Sequence, residues 1–453
     1  MLKSCTISLF PKLKREILKK ITQKLNIYNE TMKSKMNYIE KIKELENWET
    51  NTTILEIINE NNININKNEY NKNKKKNDDD EIINDVVQAM INEVVENRID
   101  KTAISLFSGM GGDSLGIKNA GYKLIAYSEF IEDFRKSHDL NFPDCKLLGE
   151  YCKSDVSKIT DEEFLEYKNK VDLIFAGFPC QGFSQAGKKL PDDPRNTLFR
   201  EFLRATRLIK PKYIIGENVK GLLSRKTHDN KMYIDIIVNE FKELGYDVEY
   251  KVLKANLYGI PQNRHRLIIV GIRVDLNKKY EFPTEITNVD LNLKDIVQFS
   301  MTGSLKMDKD DFDFSDIPVE CILQDLENEA DEDLDNVHPN LKLLAKNRDF
   351  VYKGKKYPHR LNFGKRIPVG GEIIDIRKPL NTIICTYARQ PRFFVPLQNK
   401  KGYYLRCLTP SELKQIQGFP KEYKLHGKIS QKIVQIGNAV PPPLIQQVIQ
   451  NLN

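Results

Sequence analysis

Between residues 101 and 112 the chain reads Lys-Thr-Ala-Ile-Ser-Leu-Phe-Ser-Gly-Met-Gly-Gly. A short apolar run, Ala103–Phe107, enters a turn built of Ser108, Gly109, Met110, Gly111 and Gly112, and a helical pattern leaves it. Glycine lets the backbone turn tightly and approach a ligand closely, so this unit is a candidate ligand-binding opening of an α/β sheet. The glycines miss the full G-x-G-x-x-G spacing, which weakens the case for an ordinary dinucleotide site. Apolar runs recur at Leu124–Tyr127, Val171–Ala176, Tyr213–Gly216 and Leu267–Ile272, separated by helical stretches such as Asn196–Ile209 and Tyr233–Leu244. The alternation predicts an α/β fold with a doubly wound, mostly parallel sheet that binds its ligands beyond the carboxyl ends of the strands.

Outside this block the composition shifts. Within 453 residues, 71 Lys and Arg against 63 Asp and Glu leave a net charge of +8, and 40% apolar residues suffice for a buried core. That excludes a wholly disordered chain, and no apolar run is long enough to span a membrane. Seven cysteines, an odd and scattered number, fit a reducing compartment rather than a disulfide framework. A soluble intracellular protein is expected: cytoplasm or nucleoid, or the nucleus of a eukaryotic host. The basic start lacks the arginine and serine richness of a transit peptide. Leu13, Ile17, Ile21 and Leu25 share a helix face within a helical extension, 1–58. Residues 59–80 are an Asn/Lys-rich linker too polar to offset its chain entropy. The α/β block, opened by an amphipathic helix over Ile83–Val95, spans 81–280. A smaller irregular domain spans 281–405; thirteen acids crowd Asp308–Asp335, and nine bases follow in Lys342–Arg366. A closing segment, 406–453, returns to helical patterning.

Several strand ends carry candidate chemistry. Gly177-Phe178-Pro179-Cys180-Gln181-Gly182-Phe183-Ser184 follows Val171–Ala176, placing Cys180 in a loop at a strand's carboxyl end. A thiol there is a nucleophile if nearby cations or a helix N-terminus lower its pKa; otherwise it is a small buried hydrophobe. Glu217, in Glu217-Asn218-Val219, lies just past another strand, either a carboxylic acid of raised pKa or a salt-bridge partner. Gln262-Asn263-Arg264-His265-Arg266 offers guanidiniums for a phosphate or carbonyl, or a solvated face. Glu129, eighteen residues beyond Gly111, suits the hydroxyls of a ribose, and Asp155 is placed at the end of a third strand, facing an adenine amino group. No metal set is read.

Together these segments resemble the DNA cytosine-5 methyltransferase family from Lys101 to Asn453, in family order. Arg406-Cys407-Leu408-Thr409-Pro410-Ser411-Glu412, Gln417-Gly418-Phe419-Pro420 and Gln435-Ile436-Gly437-Asn438-Ala439-Val440-Pro441-Pro442 also look like family motifs. The resemblance implies an S-adenosylmethionine-dependent enzyme that methylates carbon 5 of a flipped cytosine through a covalent Cys180 adduct. Glu217, Arg264 and Arg266 would assist the chemistry. Phe107, Ser108, Gly109, Gly111, Gly112, Glu129, Asp155, Val156, Pro179, Leu198, Asn438 and Val440 would line the cofactor. Gln181, Ser184, Gln262, Arg389 and Arg392 would meet double-stranded DNA, with 281–405 as target-recognition domain. The enzyme would act as a monomer, with a cognate restriction endonuclease outside any physical complex.

Two other readings compete. The family's tRNA-methylating branch usually carries a Cys-Phe-Thr signature; Cys385-Thr386-Tyr387 is nearest here and does not match. A catalytically silent DNA-binding homologue need not keep Cys180, Glu217 and both arginines. The N-terminal extension and the acidic stretch depart from the compact family pattern.

Overall fold

The computed structural model describes residues 101–179, 198–227, 229–287, 289–308, 312–345, 350–352, 355–357, 361–366 and 371–452, all within the compact unit Asp100–Asn453. The helices and linker expected before residue 100 lie outside the described residues, as do Cys180, Gln181 and Ser184.

Chain order gives β1 (Lys101–Leu106), α1 (Gly112–Asn119), β2 (Tyr122–Ser128), α2 (Glu132–Asp139), β3 (Lys146–Leu147), α3 (Asp161–Leu165) and β4 (Leu173–Ala176). Then come α4 (Phe199–Ile209), β5 (Tyr213–Val219), α5 (Tyr233–Glu243), β6 (Tyr246–Lys254), β7 (Gln262–Asn263) and β8 (His265–Arg273). The main 7-stranded sheet has the order β3-β2-β1-β4-β5-β8-β6. Strands β3, β2, β1, β4 and β5 pair in parallel, whereas β8 runs antiparallel to both β5 and β6.

Side-chain alternation divides the sheet's two faces. Ile104, Leu106, Ile174, Ala176, Ile214, Leu267 and Ile269 join a core with Phe199 and Phe202 of α4 and Ile237 and Phe241 of α5. Ala103, Leu173, Phe175, Ile215, Ile268 and Val270 face the other way, against Ile117 of α1 and the chain's last helix. The order reverses at β1 and β4, so their carboxyl ends form the switch point at which such sheets bind ligands.

The smaller region has β9 (Leu305–Lys306), β10 (Leu323–Asp325), α6 (Pro339–Ala345), the hairpin β11 (Phe350–Tyr352) and β12 (Lys355–Tyr357), β13 (Glu372–Ile373), β14 (Leu380–Asn381), β15 (Phe393–Asn399) and β16 (Gly402–Cys407). A second sheet runs β10-β15-β16-β9, and β13 also pairs with β15. Short β14 pairs instead with β7, tying this region to the foot of β8. The chain closes with α7 (Pro410–Ile416), α8 (Ile429–Asn438) and α9 (Pro442–Gln450). Helix α9 returns to the main sheet and packs so tightly on α1 that a Cβ at Gly116 would lie 2.8 Å from Ile445 Cβ.

One buried ion pair fixes the passage from β16 to α7. Arg406 Nη2 and Nη1 donate to Glu412 at 2.6 and 2.8 Å, and the guanidinium also reaches the carbonyls of Gln298 and Cys407. Thr409 caps α7, its backbone N–H donating to Glu412 at 2.8 Å. Glu412→Ala would leave a buried guanidinium without its counter-ion, at an expected cost of about 3–5 kcal/mol. The double change Arg406→Met with Glu412→Leu is expected to cost less than Glu412→Ala alone. Urea denaturation of the three chains measures both differences.

Candidate active site

The switch point opens with strain. Phe107 holds φ 57°, a left-handed conformation that a bulky residue adopts only when its surroundings impose it. Gly109 and Gly111 continue at φ 60° and 92°, and Gly111 caps α1. A Cβ at Gly112 would sit 2.4 Å from the Val440 carbonyl oxygen, so the glycine turn and the Asn438–Val440 segment need that bare backbone to meet. Tyr423 adds a hydroxyl donated to the Met110 carbonyl. By contrast, a Cβ at Gly109 would meet nothing within 4 Å, so open space lies above the turn.

Glu129 follows β2 and frames that space. Its carboxylate accepts the Gly109 N–H at 2.8 Å and the Ile131 N–H at 2.7 Å, yet burial raises its pKa above the ordinary range. Ser154 Oγ accepts the Glu129 N–H at 3.0 Å and thereby holds Asp155 nearby in the chain. Asp155 does not end a strand: β3 stops at Leu147, and Asp155 caps a short 3-10 turn, Val156–Lys158. Burial raises the pKa of its carboxyl, but hydrogen bonds from Ser157 and the Lys158 ammonium outweigh it and hold the group low. Val156 is buried in that turn, and Leu198, half-buried, starts α4. Ser108, Gly109, Glu129 and Ser154 thus form one continuous hydrogen-bonded rim, since the Ser108 N–H donates to the Ser128 carbonyl.

Beneath the glycine turn lies a buried carboxyl that the sequence reading missed. Asp113 accepts from Ser105 Oγ, with Ser108 Oγ at 3.4 Å, and burial pushes its pKa up to about 7. Ser108 and Ser114 hydroxyls, 2.8 Å apart, connect it to His138, whose pKa burial lowers to about 3.

At the carboxyl end of β5, Glu217 Oε1 lies 2.6 Å from Arg266 Nε. Burial raises the Glu217 pKa against the pull of Arg266 and Arg264. Its Oε2 is 3.8 Å from where a Cβ of Gly177 would stand, so the acid borders the turn that leads through Phe178 and Pro179 to Cys180. Asn218, buried, donates to the Phe178 carbonyl at 3.2 Å and accepts the Val219 N–H at 2.8 Å, a positioning contact beside the Glu217 reading.

The two arginines of the Gln-x-Arg-x-Arg segment part company. Arg264 is fully buried and donates to the carbonyls of Ile383, Gly437 and Ala439 at 2.8, 3.1 and 2.8 Å. Both of its Nη atoms bond backbone carbonyls while its buried Nε has no partner among the described residues, so Arg264 acts here as a clamp between segments. Gln262 is likewise corrected. It is wholly buried, donating to Gln417 and accepting the Ile383 N–H at 3.2 Å, and offers DNA no surface. Arg389 is exposed beyond the turn Cys385–Ala388, and Arg392 is half-buried, with Nη2 3.3 Å from Gln390.

Residues 101–453 match the family described as C-5 cytosine-specific DNA methylase. A curated relative, the Type II methyltransferase M.Eco47II of Escherichia coli, is 36% identical over 75% of this chain and 76% of its own. The Type II methyltransferase M.HhaI of Haemophilus parahaemolyticus is 29% identical over 77% and 93%. A solved structure of a mutant DNMT2 from Spodoptera frugiperda superposes with TM-score 0.53 at 20% identity, over 78% of this chain and 99% of that one, a likeness of fold.

Asp113 makes the site's stability depend on pH. Its raised folded pKa stabilises the fold fully below the unfolded value near 4, and that contribution is lost as pH rises toward about 7. The loss amounts to about 4 kcal/mol in all. Asp113→Asn should flatten the decline between these limits, read from urea denaturation across that range.

Proposed function

Because the chain belongs to the C-5 cytosine-specific DNA methylase family, we propose a residue-level account of how it transfers a methyl group to DNA. The enzyme is a DNA cytosine-5 methyltransferase that uses S-adenosylmethionine. The observation that carries the assignment of its catalytic edge is the buried Glu217–Arg266 pair beside the Gly177–Pro179 turn.

Cys180 acts as the nucleophile. Carbon 5 of cytosine is a poor nucleophile until a thiolate adds to carbon 6, which makes the ring enamine-like. Glu217, whose pKa burial raises against the pull of Arg266 and Arg264, delivers a proton to ring nitrogen 3 and removes the charge that addition develops. Arg266 orients Glu217 and grips the base carbonyl. Asn218 holds the turn that presents Cys180. S-adenosylmethionine would supply the methyl group that carbon 5 takes as the methyl–sulfur bond breaks and the thioether leaves, and Glu129 and Phe107 border the open space above Gly109 where its nucleoside would be held. Glu129 takes the ribose hydroxyls, Asp155 the adenine amino group, and Asn438 and Val440 the methionine end. A base then removes the carbon-5 proton, and Cys180 leaves as the ring double bond re-forms. The base must be turned out of the duplex, at a cost of a few kcal/mol. We place target recognition in residues 281–405, with Arg389 and Arg392 facing DNA.

Bisulfite sequencing of plasmid DNA from cells expressing the chain should reveal one methylated cytosine motif. Cys180→Ala should abolish it while duplex binding survives; methylation at even a few per cent of the parent rate would remove Cys180 from this role. The parent should form a covalent adduct with 5-fluorocytosine DNA and cofactor, since fluorine blocks the final proton loss.

Glu129→Ala and Asp155→Ala should each weaken S-adenosylmethionine binding in calorimetry by about 0.5–3 kcal/mol. Unchanged affinity in both would place the pocket elsewhere.

A further inference from the structure

The ends of β5, β8 and β6 lie side by side at the carboxyl edge of the main sheet, and each brings a base there. Lys254, closing β6, stands directly opposite His265, which opens β8. Val219, closing β5, stands opposite Arg266, and the next residue, Lys220, opens a short 3-10 turn from which its charge acts on His265. All three are exposed. Adjacent strands are about 4.8 Å apart, so the row spans roughly 10 Å. The charges acting on the His265 ring are all cationic, from Lys220, Lys254 and Arg266, and with burial they hold its pKa below the ordinary value. Like charges abreast on a sheet repel. Among the described residues no acid forms an ion pair with Lys220 or Lys254, and such a row suits a polyanion laid across it.

We propose that Lys220, His265 and Lys254 form a phosphate-binding row that holds the DNA backbone next to the Glu217–Arg266 pair. The inference rests on the reading of that pair as the catalytic edge and extends it to sequence-independent binding. Arg266 follows His265 directly, and strand alternation turns their side chains to opposite sides. The row nevertheless shares the strand-end edge with the Glu217–Arg266 pair, so a strand whose base enters toward Glu217 can cross that edge and rest a flanking phosphate on the row. Such contacts set register and affinity without reading sequence.

The test is the salt dependence of duplex binding by the full chain, followed by fluorescence anisotropy. Each phosphate neutralised adds about 0.9 to the slope of log affinity against log salt. The double variant Lys220→Gln with Lys254→Gln should lose about 1.8 from that slope and weaken cognate and unrelated duplexes by the same factor. Lys242→Gln makes one of the same charge changes near the end of α5, before β6 begins at the sheet's opposite edge, and should keep the parental slope. A double variant with the slope of Lys242→Gln overturns the row. A loss confined to one DNA sequence, or seen with a tRNA probe but not with duplex, overturns it as well. If the parent chain methylates DNA while the variant's slope is unchanged, only the row fails; if the parent neither binds nor methylates duplex, the catalytic reading itself fails.

Discussion

The buried guanidinium of Arg264 holds together three segments that are remote in sequence. Its donors end on carbonyls of Ile383, Gly437 and Ala439, while Gln262 and Gln417 reinforce the same junction, the latter donating to the Ala439 carbonyl at 2.6 Å. A buried guanidinium is costly, and losing any of these Nη contacts would add to the cost of its unpartnered Nε, so these carbonyls are held in place. Gly437 makes the junction possible, for a Cβ there would lie 2.4 Å from the Cys385 nitrogen. Two consequences run outward. Ala439 leads to Val440, whose carbonyl meets Gly112, so the clamp positions the backbone against the glycine turn. Arg266, two residues beyond Arg264, faces Glu217, so the clamp also sets the acid. Lysine could not replace this planar fork, whose several donors are needed at once.

Around that junction the site stores two kinds of cost. Phe107, Lys153 and Ser154 hold left-handed backbone at φ 57°, 58° and 57°, and all three flank the rim that carries Glu129 and Asp155. Glu129, Asp113 and Glu217 hold carboxyls whose ionisation burial disfavours. Strain and raised pKa values concentrate where function needs preorganised groups, and the close-packed sheet faces offset them. The arrangement separates roles by depth. Asp113 sits under the turn and supports it, Glu129 accepts from the turn itself, and Glu217 borders the route to Cys180.

Strands β1, β2, β4, β5 and β8 are legible because each carries a largely buried apolar run, whereas β3 is only Lys146 and Leu147 and carries no such signal. Strand β6 is not legible either, since Asp247, Glu249 and Lys251 break its run as an exposed edge strand should. Asp155 was assigned to a strand end because Ser-Asp-Val reads equally as an extended run or a cap; its hydrogen bonds to Ser157 select the cap. Gln262 and Arg264 carry the residue types of a nucleic-acid surface, and only the approach of residues 383 and 437–439 makes them interior. That approach is a long-range event with no local signature. Asn218 lay within a motif already singled out; an amide between two strand-end turns could have been suspected of bracing one of them.

The acidic stretch finds its physical place through the small sheet. Glu329 and Asp331 pair with Lys400 and Lys401 at the turn between β15 and β16, and Asp333 accepts the Gly303 N–H at 3.0 Å. Arg392 stands at the opposite end of β15, beyond Phe393. Six residue steps at about 3.3 Å each put roughly 20 Å between the two ends. The screening length at physiological salt is about 8 Å, so acids at the far turn are largely screened from the charges of Arg389 and Arg392. Exposed pairs of this kind add little stability, so their effect is to neutralise Lys400 and Lys401 at that turn. The acidic stretch is thus tied to the small sheet by charge pairing with Lys400 and Lys401 and by the Gly303 N–H, an effect of charge placement rather than of fold.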